Sequence, residues 1–198
     1  GLPGRQTRLH GFQPVIPRYP ASLNLFFAPI CSPTSVNAKY MARVAIAMSG
    51  GVDSSVAAVL LCEQGHEVLG LHMKLYNGTD QGRQRKRCCS LDEALDARGI
   101  CRKLDIPFYV LDFQKEFRET VVDYFIRQYQ EGKTPNPCVM CNRKIKSGLL
   151  IQRALELECD YLATGHYAAI RIDSCNSRHQ LVKPSDLRKD QTYFLHGL

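Results

Sequence analysis

The sequence predicts an α/β fold, a parallel sheet with helices on both faces. Three observations carry that expectation. From residue 41 onward, short apolar runs alternate with segments of helical period, and strand–helix alternation builds parallel sheets. A glycine–serine turn joins the opening apolar run to the first helical segment. The chain has 198 residues, of which 44% are hydrophobic and 23% charged, enough for a core without disulfide or metal staples. The same arithmetic excludes other classes. There is no glycine period for a collagen and no sustained heptad for a coiled coil. The apolar stretch at residues 23–30 is too short to span a bilayer.

The first forty residues show neither helical nor strand period. They contain Pro3, Pro14, Pro17, Pro20, Pro29 and Pro33, four basic residues (Arg5, Arg8, Arg18 and Lys39) and no acid. Residues 1–40 are expected to be a disordered extension or an organelle-targeting peptide ahead of Met41. The chain opens on Gly1, so the expected start lies upstream. This stretch supplies +4 of the +7 net charge, and the remaining residues are only mildly basic, which permits a nucleic-acid partner without requiring one.

From Met41 the elements follow in order. Residues 44–48 (VAIAM) read as a buried strand. Asp53 and Ser54 open a helix that carries Val56, Val59 and Leu60 and stops at Gly65. Residues 68–73 form the next strand, and 77–87 a polar loop containing the basic run Arg83-Gln84-Arg85-Lys86-Arg87. Ser90 and Glu93 form a capping box for a helix bearing Ala94, Ala97, Cys101 and Leu104. Residues 108–111 make a third strand, followed by a helix with Phe117, Val121, Tyr124 and Gln128 in register. Pro135 and Pro137 exclude helix from the next loop, and a helix resumes near Cys141 and runs to Glu158. Residues 161–164 make the fourth strand, which ends at Gly165-His166.

Nine cysteines are present: Cys31, Cys62, Cys88, Cys89, Cys101, Cys138, Cys141, Cys159 and Cys175. An odd count, several of them within helical segments, points to reduced thiols in an intracellular compartment. Cys62, Cys101 and Cys159 read as small core residues.

Ser49-Gly50-Gly51-Val52-Asp53-Ser54-Ser55 has the chemistry of an anion cradle. Its glycines let the backbone turn tightly, and the helix that follows presents unpaired amides and a positive dipole end. The serine hydroxyls are expected to add donors, and Asp53 to hold Mg2+ through oxygen. No Gly-Lys-Ser/Thr ends the loop, so it is not a Walker A loop, nor does it match G-x-G-x-x-G. The segment resembles the PP-loop of the N-type ATP pyrophosphatases, which cleave ATP between the α and β phosphates. That resemblance implies a Rossmann-like parallel sheet of the adenine-nucleotide type spanning residues 41–198. It also implies ATP binding by Ala47, Met48, Ser49, Gly50, Gly51, Val52, Asp53, Ser54 and Ser55, with Met73 and Gly165 around the adenosine.

A second segment narrows the family. Residues 133–146 (KTPNPCVMCNRKIK) resemble the active-site loop of the tRNA-uridine 2-thiolases, the tRNA-specific 2-sulfurtransferases. His72-Met73-Lys74 after the second strand, Ala163-Thr164-Gly165-His166-Tyr167 after the fourth, and residues 189–195 (KDQTYFL) agree with it. From the residues themselves, Cys141 at a helix start beside Arg143, Lys144 and Lys146 is expected to favour the thiolate. The resemblance implies adenylation of the C2 oxygen of a wobble uridine in tRNA, then sulfur transfer from a protein persulfide. It places Cys141 as nucleophile, Asn136, Pro137 and Cys138 on the target base, and Lys189, Asp190 and Gln191 on the tRNA. It also implies a persulfide sulfur-donor protein, a disulfide bond in the chemistry and no membrane partner.

Alternatives stay open at this point. Cys138-x-x-Cys141 also matches half of a zinc site, or part of an iron–sulfur cluster completed elsewhere. Cys138 departs from the Asp common at that position in the family. Family members continue past position 198 through a second cysteine and further domains. A truncated, non-catalytic ATP- or tRNA-binding fragment, unable to thiolate tRNA by itself, is therefore the competing expectation, with another N-type ATP pyrophosphatase behind it. A targeting peptide in residues 1–40 would place the protein in a plastid or mitochondrion, and its absence in the cytoplasm.

Overall fold

The computed structural model describes residues 26–29, 41–75, 91–172 and 178–196. Four parallel strands form the sheet: β2 (Arg43–Ala47), β3 (Glu67–Lys74), β4 (Phe108–Asp112) and β5 (Tyr161–Thr164). Their order is β5-β2-β3-β4, and β1 (Phe26–Pro29) adds an antiparallel edge strand outside β5. β2 and β3 are buried along nearly their whole lengths, as strands covered on both faces must be.

Helices cover both faces. On one side α1 (Val52–Glu63) and α2 (Leu91–Lys103) pack through Ala57, Ala58, Leu61, Ala97 and Cys101 against Val44, Ile46 and Ala163. The other side carries two long helices. α3 runs through Gln114–Phe117, Arg118–Val122 and Asp123–Gln130, and α4 through Pro137–Met140, Cys141–Leu150 and Ile151–Glu156. In each, the middle stretch is π-helical. They bury Phe117, Val121, Ile145, Leu150 and Ala154 on Ala45, Leu71 and Leu162. Alternate strand residues thus feed two separate cores, as the period of two requires. After β5, a hairpin of β6 (Ala169–Ile172) and β7 (His179–Val182) leads to a 3-10 turn, Leu187–Lys189, and to α5 (Thr192–Leu195).

The parallel sheet and its four strands match the expectation, with several local differences. Residues 72–74 lie inside β3 and not beyond it. A strand at 26–29 was not legible because four residues ending in proline are too short to show a period. The β6–β7 hairpin was missed for the same reason of length. Arg83 to Arg87, Cys88, Cys89, Ser90, Cys31 and Cys175 lie outside the described residues. Among the described residues, no helix is long and apolar enough to cross a membrane.

Candidate active site

The chain leaves β2 toward β3 and returns later to β5 on the opposite side of β2. Such a reversal opens a crevice at the carboxyl ends of the two strands, where α/β proteins bind ligands. The loop from Met48 to Gly51 leaves β2 at this crevice, and Gly165 leaves β5 beside it.

Local bonding fixes the loop. Met48 donates its amide to Leu71 O at 2.8 Å, and its own carbonyl meets His72 Nδ1 at 2.9 Å. His72 is buried, so the strand end is pinned from within. Gly50 turns the chain at φ +78, and a Cβ there would lie 2.5 Å from Glu93 O. Both facts demand glycine. The Ser49 and Ser54 hydroxyls lie 3.1 Å apart, and Ser54 Oγ also donates to Gly51 O at 3.1 Å. Ser55 Oγ donates to the same carbonyl at 2.9 Å. Ser54 is buried, and both hydroxyls brace the loop through the Gly51 carbonyl. What remains for an anion are the first-turn amides of α1, which have no acceptor in their own helix.

Gly165 closes the crevice. A Cβ on it would stand 2.7 Å from Ser54 N and 2.8 Å from Asp53 C. The end of β5 therefore lies directly against the first turn of α1. Tyr167 extends the contact: its hydroxyl donates to Asp53 Oδ1 at 3.1 Å, and burial, then that bond, raises the pKa of the phenol. Gln191 holds the Tyr167 backbone from both sides, accepting its amide at 2.8 Å and donating to its carbonyl at 3.1 Å. Lys189 Nζ stands 4.9 Å over the Tyr167 ring, a cation–π contact. Asp190 accepts from Thr192 N at 2.9 Å and Thr192 Oγ1 at 2.6 Å, bracing the start of α5. Residues 189 and 191 are thus joined to the start of α1 through one tyrosine.

The cysteine loop differs from expectation at one point. α4 begins at Pro137, not at Cys141. Proline fits the first helical position, where its missing N–H costs nothing, so the two prolines mark a helix start where they were read as excluding one. Asn136 caps the helix by accepting from Cys138 N at 3.0 Å and Val139 N at 3.2 Å. Cys138 therefore occupies the first turn and is exposed, while Cys141 sits a turn further in, half-buried against the core. Asn142 is buried and donates to Cys138 O at 3.0 Å. The first turn of α4 packs on α5.

One contact ties this helix to the crevice. Lys146 Nζ lies 3.3 Å from His166 Nε2, and His166 Nδ1 lies 2.8 Å from Thr164 Oγ1. Burial, reinforced by the Lys146 charge, pushes the imidazole pKa down to about 3. Nothing in the sequence singled out this pair, because the two residues lie on different elements.

The remaining cysteines behave as core residues. Cys101 and Cys159 are buried, and burial pushes both thiols up to about 11. Cys62, Cys101, Cys138 and Cys159 are free thiols, so the expected disulfide does not form among these four. No group of three or more His, Cys, Asp or Glu among the described residues could hold a metal. A zinc or iron–sulfur centre therefore finds two cysteines, Cys138 and Cys141, and no third ligand among the described residues.

A family model described as the tRNA methyl transferase HUP domain matches residues 42–198. The tRNA-specific 2-thiouridylase MnmA of Symbiobacterium thermophilum is 53% identical over 163 residues, covering 79% of this chain and 41% of that protein. The protein of the same name from Chloroflexus aurantiacus is 54% identical over 158 residues, covering 80% of this chain and 44% of that protein. The chain thus spans under half the length of these relatives. Among solved structures, an NH3-dependent NAD synthetase from Campylobacter jejuni overlays with a TM-score of 0.41 at 21% identity, covering 60% of this chain and 44% of that one. With a family model matched from the first core strand through the last helix, the chain belongs to the tRNA methyl transferase HUP-domain family.

Proposed function

We propose that this chain is the nucleotide-binding and cysteine-bearing part of an enzyme that 2-thiolates the wobble uridine of tRNA at the expense of ATP. The carrying observation is spatial. The loop after β2, the end of β5 and the cysteine helix meet at one crevice, joined by Gly165 against Ser54 and by Lys146 on His166. Relatives at over half identity named tRNA-specific 2-thiouridylases support the substrate class.

In this reading the α1 amides take the phosphates, with Ala47 to Ser55, Met73 and Gly165 framing the nucleotide. Asp53 is exposed and, among the described residues, engaged by Tyr167 through one oxygen, so its other carboxylate oxygen would be available to Mg2+, which is held by few protein ligands together with phosphate oxygens. Magnesium supplies charge neutralisation on those oxygens. The uridine C2 oxygen bonds to the α-phosphorus as the bond to pyrophosphate breaks; the outer sulfur of a protein persulfide then bonds to C2 as AMP departs, and a thiol attacks the inner sulfur, breaking the S–S bond, so that a disulfide forms and the sulfur stays on C2 in reduced form. Cys141 is the nucleophile, and its half-buried place on α4 fixes its position. Asn136, Pro137 and Cys138 at the start of α4 face the base, and Lys189, Asp190 and Gln191 the tRNA. An intracellular setting belongs to the same proposal. A cluster or zinc on Cys138 and Cys141 is not part of it.

The test is incubation with Mg-ATP and a tRNA bearing uridine at the wobble position, separating pyrophosphate from orthophosphate. Pyrophosphate release that requires that uridine is the expected result. Orthophosphate release, or pyrophosphate release indifferent to the wobble base, would overturn the reading.

A further inference from the structure

Lys146 is a half-buried side chain on α4. Among the described residues its ammonium meets no carboxylate; its one partner is His166 Nε2 at 3.3 Å. An ammonium can only donate, so Nε2 must present its lone pair. Nδ1 then carries the proton and donates to Thr164 Oγ1 at 2.8 Å. His166 is thereby held in a single neutral tautomer. A neutral ring fixes where the ammonium points but cancels none of its charge. A partly desolvated cation without a counter-ion is costly, and the arrangement becomes favourable only when an anion completes it.

The surroundings specify the anion. The residue before His166 is Gly165, whose α-carbon abuts Ser54 N and Asp53 C. That is the amide end of α1, which carries positive potential of its own. The Lys146 ammonium is thus held by the residue next to the one that abuts the α1 amides, at the same end of β5. Tyr167 engages the nearby Asp53 carboxylate. We propose that His166 positions Lys146 to contact the phosphate chain of the bound nucleotide, making Lys146 a further nucleotide-binding residue of this site. The inference deepens the nucleotide reading above and rests on it.

The experiment is calorimetric titration of the full chain at fixed ionic strength with Mg-ATP, with adenosine, and with tRNA. Lys146→Met is expected to weaken Mg-ATP at least about tenfold while adenosine changes by less than about twofold. Lys146→Arg, which keeps the charge, should restore most of the loss. His166→Phe, which removes the acceptor, should fall between them, again sparing adenosine. Lys115→Met, the same loss of charge on exposed α3, should leave Mg-ATP binding within about twofold. Unchanged Mg-ATP affinity in Lys146→Met would overturn the proposal. So would equal losses for ATP and adenosine, which would mark a structural role, or a loss confined to tRNA, which would assign the lysine to the RNA backbone. If the unaltered chain binds no Mg-ATP, the nucleotide reading itself falls; if it binds and only the variants fail to respond, this inference alone falls.

Discussion

His166 links a buried ring to a measurable pH dependence. Its proton affinity drops from the ordinary 6.5 to about 3 on folding, because burial and the Lys146 charge oppose a second positive charge. Between those values the unfolded chain binds the extra proton and the folded chain does not. Stability is therefore fully present above pH 6.5 and falls as the pH drops toward 3. His66 is shifted in the same direction by burial and adds to the slope. Urea unfolding at about pH 7 and about pH 5 should show a lower midpoint at the acid value, and His166→Gln should flatten the difference. An equal acid loss in that variant would assign the effect elsewhere. The cysteines give a second residue-scale expectation. Cys138 is exposed on the first turn of α4, and Cys141 is half-buried behind it. Limited alkylation followed by peptide mass spectrometry should label Cys138 before Cys141, with Cys101 and Cys159 slowest because their thiols are held near 11. Labelling of Cys141 first would show that the helix start does not govern reactivity here.

At the scale of elements, α4 and the phosphate loop each hang on one local device. For α4 it is Asn136, whose side chain accepts from two first-turn amides. Asn136→Ala should cost about 1 kcal/mol of stability, read from a denaturant curve. Asn136→Asp, which keeps the acceptor oxygen, should recover it. For the loop it is Gly50. Alanine there must adopt φ +78 and would drive its methyl to 2.5 Å from the Glu93 backbone. Gly50→Ala should destabilise by roughly 2 kcal/mol or more and weaken Mg-ATP binding, because α2 and the loop cannot both stay in place. Gly65 has a similar φ of +82 but open space around it. Gly65→Ala should therefore show only the backbone cost, about 1 kcal/mol, and leave nucleotide binding intact. A comparable loss of binding in both variants would count against the close approach to Glu93 as the cause.

For the whole molecule, nucleotide and fold should be coupled. The crevice is made by two strands far apart in sequence, β2 and β5, so a ligand bridging them stabilises only the folded sheet. Mg-ATP at about a hundred times its dissociation constant should add roughly 2.7 kcal/mol, seen as a rise in melting temperature. Asp53→Ala should shrink the Mg-dependent part of that rise, since it removes the one exposed carboxylate on the loop. An undiminished rise would show that the metal, if bound, does not use Asp53. Tyr167→Phe tests the tie to residues 189–191. It cuts the bond to Asp53 and keeps the ring under Lys189. Hydrogen exchange at residues 187–195 should then lose its response to Mg-ATP, while the unaltered chain responds.

Much of this architecture is local in origin, and so it was legible. Apolar runs at residues 44–48 and 161–164, the glycine–serine turn after the first of them, and the stop at Gly65 are properties of a few neighbouring residues. Backbone sterics and burial leave such runs few other conformations. The strings at residues 49–55 and 133–146 stood out for the same reason, each being contiguous. The start of α4 was misplaced by one turn because Pro137 reads both as a breaker and as a first-turn residue. Only the Asn136 side chain, seen folded onto Cys138 N, separates the two. What the tertiary structure alone decided lies between strings. It set the order β5-β2-β3-β4, the approach of Gly165 to Ser54, the bond from Tyr167 to Asp53, and the seating of Lys146 on a neutral His166. Each joins residues from elements that touch only once the sheet has assembled. Burial in that assembly, and not any property of the histidine's own sequence neighbourhood, is the first cause that keeps its ring uncharged beside a lysine.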